Sequence, residues 1–155
     1  MSHGIGQYHA RFIWALAIAT MVFMSTGYAD DTNPLVAERW QHRPLVLVAP
    51  ASSNPALQDG IARVRDAERA FADRDMVLYV VTAEEATRAG ETLAPEQRRA
   101  LIAALDVTPR ATTSMILVGK DGGVKRRAPL ETSLEQVFQR IDGMPMRQRE
   151  MREND

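Results

Sequence analysis

The sequence predicts a single α/β domain: a mixed sheet with helices on both faces. Three observations carry the prediction. Residues 45–49 (LVLVA) and 76–81 (MVLYVV) are continuous apolar runs, the mark of strands covered on both sides, and an amphipathic stretch long enough for a crossover helix separates them. A third run at 114–119 (SMILVG) leads through Lys120-Asp121-Gly122-Gly123 into VKRR at 124–127. Asp-Gly between strand-like runs is a strong hairpin signal.

The 155 residues suffice for one core and not for two. Residues 1–29 are not expected to join it. Arg11 precedes an uncharged 13-residue run, FIWALAIATMVFM, and small residues lead to Ala29 before Asp30-Asp31. That order is the signature of a cleaved signal peptide, and the apolar run is short for a membrane span. The expectation is an exported chain, periplasmic or secreted, starting at Asp30, with no stable membrane insertion after cleavage.

Asn33-Pro34 pairs a helix cap with a first-turn proline and starts a short helix towards Trp40, whose ring is expected on the core edge. Pro44 opens the first strand. Asn54-Pro55 repeats the cap-and-proline start, and Leu57, Ile61, Val64, Ala67 and Phe71 form one apolar stripe. Asp73-Arg74-Asp75 ends that helix before the second strand. The polar stretch 82–92 reads as loop. Pro95 starts a helix with Leu101, Ile102 and Leu105 on its apolar side. After the hairpin, Thr132 and Glu135 have capping-box spacing. Leu134, Val137, Phe138 and Ile141 make the last stripe, which Gly143 is placed to end.

The order is βαβ, then ββα, which gives a four-stranded mixed sheet because strand–helix–strand requires a right-handed parallel crossover. This is the arrangement of thioredoxin-like domains, assigned to residues 30–143, with 144–155 as a polar Met/Arg tail. Four stretches, ERWQHRPLVLVAP, RDMVLYVV, LVGKDGGVKRR and IDGMPMRQREMR, resemble the bacterial family known as domain of unknown function 4174. The resemblance implies a thioredoxin-like fold, often exported, and no assigned activity.

The chain has no cysteine, which excludes thiol redox chemistry and disulfide staples. Ser53-Asn54-Pro55-Ala56 stands where a thioredoxin would carry Cys-Gly-Pro-Cys, and Thr112, Thr113 and Ser114 stand near the usual cis-proline. Asn54 and the 112–114 hydroxyls should approach one another at a helix start that favours anions. They are the first binding candidates. Arg147 and Arg149 in the tail are the second, as bidentate partners for carboxylate or phosphate. Lys120, Lys125, Arg126 and Arg127 form a basic cluster that fits either an anion site or an edge strand protected against pairing.

No catalytic residue is assigned. Ser52 and Ser53 lack a G-x-S-x-G elbow, His42 is the one histidine outside residues 1–29, and the pairs Glu84-Glu85 and Asp73/Asp75 fall in turns. No cofactor or metal site is assigned. Met144, Met146 and Met151 suit Cu(I), but Arg147, Arg149 and Arg152 oppose a cation there. Without Arg11 the balance is 18 basic to 20 acidic residues, against a nucleic-acid partner. The favoured reading is a non-redox module that binds a periplasmic protein or peptide. The alternatives are a non-thiol enzyme at the Ser53/Asn54 and 112–114 pole, marked by a buried shifted acid beside it, and a Met-based Cu(I) carrier.

Overall fold

The computed structural model describes residues 32–153; the proposed signal segment lies outside the described residues. Asn33 caps α1 (Pro34–Glu38) by accepting from the Leu35 amide. Strand β1 (Arg43–Val48) is buried at every position, as its unbroken apolar run requires. It begins one residue before Pro44. Asn54 caps α2 (Pro55–Asp66), its Oδ1 accepting from Leu57 N at 3.1 Å. The expected long helix breaks at Ala67 and continues as α3 (Glu68–Ala72). Strand β2 (Met76–Val81) then pairs parallel to β1, Arg43 opposite Met76 and Val48 opposite Val81.

The sheet has six strands rather than four. Within the stretch read as loop, β3 (Ala86–Arg88) and β4 (Glu91–Thr92) form a small antiparallel hairpin that extends β2. Ala89 (φ 49°) and Gly90 (φ 87°) make its two-residue turn. Both are left-handed, as a type I′ turn demands. Helix α4 (Pro95–Leu105) follows, and β5 (Ser114–Val118) and β6 (Val124–Ala128) complete the sheet in the order β4-β3-β2-β1-β5-β6. Only β1 and β2 are parallel.

Side chains of β1 alternate between two cores. Leu45 and Leu47 meet Leu57, Val64 and Phe71 from α2 and α3, and Leu134, Val137 and Ile141 from α5 (Leu134–Asp142). Gly60 lets α2 approach closely, since a Cβ there would lie 3.1 Å from Leu47 Cδ1. On the other face Val46 and Val48 meet Leu35 of α1 and Leu101 and Leu105 of α4. The cap of α5 is Ser133 rather than Thr132, accepting from Gln136 N. Gly143 ends that helix as expected. Trp40 departs from expectation: it is 67 % exposed, because its left-handed backbone (φ 67°) carries the chain away from α1. Among the described residues no helix is long and apolar enough to cross a membrane.

The polar stretch from 144 onward forms a last helix, α6 (Pro145–Glu153). With no Leu, Ile, Val or Phe it is held by charge. Arg147 is buried and donates to Asp73 at 2.6 Å, and Glu150 accepts from Arg43 and from Lys120, each at 2.9 Å.

Candidate functional site

The first sequence-predicted pole is only partly assembled. Ser114 pairs with Val48, so residues 112–114 enter the sheet at the end of β1 from which the chain leaves towards Asn54. The Asn54 side chain is committed to its helix cap. Among the described residues no hydrogen bond joins Asn54 to Thr112, Thr113 or Ser114, and no peptide bond is cis. Ser52, Ser53 and Thr113 are exposed.

Of the basic residues named from the sequence, Lys120, Lys125 and Arg149 converge elsewhere, whereas Arg126 donates to Gln136 and Arg127 to the Leu105 carbonyl. A groove of about 490 Å³ runs between the β5–β6 hairpin and the junction of α5 with α6. Gly119, Lys120, Asp121 and Lys125 form one wall, Gln139, Arg140, Met146 and Arg149 the other, and buried Arg43 reaches it from β1. The hairpin wall is shaped by its glycines: Gly122 sits at φ 82°, and Gly123 N donates to the Asp121 side chain. Met144 and Met146 supply adaptable apolar surface. Arg147, also a sequence candidate, faces inward to Asp73 and Asp142 instead.

The cations of this groove fall into two sets. Arg43, Lys120 and Lys125 are neutralised within the fold. Burial opposes ionisation of Glu150, but hydrogen bonds from Arg43 and Lys120 outweigh it and hold its carboxyl below the usual range. Lys120 also reaches Asp75 at 2.8 Å. Lys125 pairs with Asp121, and that hydrogen bond lowers the Asp121 carboxyl despite its partial burial. Arg140 and Arg149 are exposed and, among the described residues, have no ion-pair or hydrogen-bond partner. Two free guanidinium groups beside a partly apolar floor suit carboxylates or phosphates. They do not suit Cu(I), although Met144 and Met146 both line the groove.

A cluster that the sequence reading did not find lies on the opposite face of the sheet. The Glu38 carboxylate, buried at the end of α1, accepts from Tyr79 Oη and Arg88 Nε at 2.6 Å each and from Arg88 Nη2 at 3.3 Å, and it contacts His42 Nδ1 at 2.8 Å. Burial alone would raise its pKa; the hydrogen bonds from Arg88 and Tyr79, with the Arg88 charge and His42, lower it below the ordinary value. Burial and the same bond push the Tyr79 hydroxyl far up. A cleft of about 550 Å³ adjoins this cluster. Glu38 is the buried, shifted acid that an enzyme at the 112–114 pole would need, but none of its partners comes from that segment. Both of its oxygens are occupied, so it serves to tie α1 to β2 and β3. The lone Tyr79 in an aliphatic strand was the usable signal, because a buried tyrosine hydroxyl needs a partner.

Comparison with known proteins bears on most of the chain. A family profile with the description Domain of unknown function (DUF4174) matches residues 34–150. The chain belongs to this family. Its matched span begins at α1 and ends inside α6, so both walls of the groove lie within it. No curated protein matches the chain, and no solved structure does.

Proposed function

We propose that this member of the family is an exported, thioredoxin-like binding module without thiol chemistry, and that its groove captures an acidic segment of a partner protein. The observation that carries the reading is the split among the cations: three are neutralised by the fold, while Arg140 and Arg149 line the same groove unpaired. Unpaired arginines across a partly apolar floor complement carboxylates that alternate with apolar side chains. Such charge complementarity sets partner choice and speeds encounter.

A fluorescein-labelled peptide of alternating Glu and Leu, titrated with protein and followed by anisotropy, tests the proposal. Binding should weaken as salt rises, and the Arg140→Ala/Arg149→Ala double variant should bind about tenfold more weakly, equivalent to about 1.4 kcal/mol. Its melting temperature should match the parent, since neither side chain has a partner to lose. Equal affinity in the double variant, or no binding at low salt, would reject the groove as the site.

A further inference from the structure

We propose that Trp40 is the apolar anchor for the same partner, so that the bound segment runs from the Arg140/Arg149 wall over the hairpin and ends in an apolar side chain against Trp40. This rests on the groove reading above. The first observation is conformational. Trp40 follows the C-terminal cap of α1, where a left-handed residue is common and is usually glycine. A bulky side chain at φ 67° is an outlier, and strain of this kind is retained where something else requires the residue.

The second observation is that most of the residue stands free of the core. Trp40 is 67 % exposed, and its backbone N–H donates to Lys120 O at 2.7 Å. A glycine would make that bond equally well. The third is position. Lys120 belongs to the groove wall, and Arg39 lies against Gly122 so closely that a Cβ on Gly122 would come within 2.8 Å of Arg39 Nε. Residues 39 and 40 are therefore fastened to the hairpin that forms the groove.

Val124, 42 % exposed, opens β6 on the same hairpin. Among the described residues these are the two large apolar side chains left exposed, and both belong to segments joined to the hairpin wall of the groove that Arg140 and Arg149 line unpaired. Exposed tryptophan beside arginine is the composition of a binding hot spot. Among the described residues the unpaired charge on this path, Arg39 against the hairpin and Arg140 and Arg149 in the groove, selects an acidic segment.

The test uses the full chain carrying Trp14→Phe, which leaves Trp40 as its single tryptophan. The probes are an alternating Glu/Leu peptide and an all-Glu peptide of equal length. The Glu/Leu peptide should shift Trp40 emission to the blue. Trp40→Gly should melt at the same temperature or higher, bind the Glu/Leu peptide about tenfold more weakly, and bind the all-Glu peptide unchanged within about twofold. Binding that depends on Arg140 and Arg149 but not on Trp40, with no emission shift, overturns the anchor and leaves the groove standing. A lower melting temperature with unchanged affinity makes Trp40 a structural residue. Failure of both peptides to bind removes the groove reading and the anchor together. An emission shift with phosphatidylglycerol vesicles and not with the peptide assigns the ring to a lipid surface and overturns the proposal.

Discussion

Arg43 Nη2 donates to Glu150 Oε1 at 2.9 Å although 107 positions separate the two residues in the chain. The first strand buries a guanidinium, only 1 % of it exposed, and the last helix supplies the counter-charge. Nη1 is satisfied by the Arg74 carbonyl, also at 2.9 Å. A buried cation without its partner destabilises strongly, because the interior does not replace the lost hydration. Ending the chain after Gly143 should therefore cost about 3–5 kcal/mol of unfolding free energy in a urea titration. An unchanged midpoint would show that α6 is not docked in solution.

Acid should unfold the domain by the same route. Glu150 and Glu38 both have carboxyls held below the ordinary glutamate range by their cationic and hydroxyl partners, against the opposing effect of burial. A carboxylate with a depressed folded pKa contributes stability that is full above its unfolded value and is lost as pH falls through the folded one. Stability should thus be flat from neutral pH down to about 5 and fall steeply below about 4.5. Glu150→Gln should be less stable at pH 7 and lose less on acidification. Parallel slopes for parent and variant would reject Glu150 as a contributor.

How much of this was legible follows from where each signal resides. β1, β2 and the Asp-Gly hairpin were readable because apolar runs and turn residues are local. β3 and β4 were not: strands of three and two residues have no period, and Ala89 in a left-handed turn position disguises the hairpin. Helix α6 falls in the stretch read as a polar Met/Arg tail, and its docking was hidden because Arg147 and Glu150 bind partners 74 and 107 residues away. The groove was half visible. Lys120, Lys125 and Arg149 stood out as basic residues in a hairpin and a tail, whereas Arg140 sits on a helix face that sequence alone reads as solvated.

Asn54 offers a clean measure of a local signal. Its side chain accepts from Leu57 N at 3.1 Å and, among the described residues, from no other donor, while Pro55 occupies the first helical position. Asn54→Ala should cost about 1 kcal/mol. Ser133→Ala, whose cap bond is longer at 3.4 Å, should cost less. If Asn54→Ala left stability intact and abolished peptide binding, the site would lie at the start of α2 and not in the groove.

The Glu38 cluster makes a sharper claim, because a network and a set of independent contacts respond differently to paired substitutions. Tyr79 Oη donates to Glu38 Oε1, which Arg88 also holds, both at 2.6 Å. Tyr79→Phe removes one hydrogen bond to a charged acceptor and should cost about 1.5–3 kcal/mol. Glu38→Gln removes the charge that Arg88 and His42 face, and leaves Tyr79 with a weaker acceptor. If the bond is as strong as its length and burial suggest, the double variant should be more stable than the sum of the single losses implies. The coupling should be at least about 1 kcal/mol. Urea unfolding of the four proteins at pH 7 measures it. Additive losses would mean that Tyr79 and Glu38 act separately, and that α1 is held to the sheet by Leu35 packing and not by the buried carboxylate.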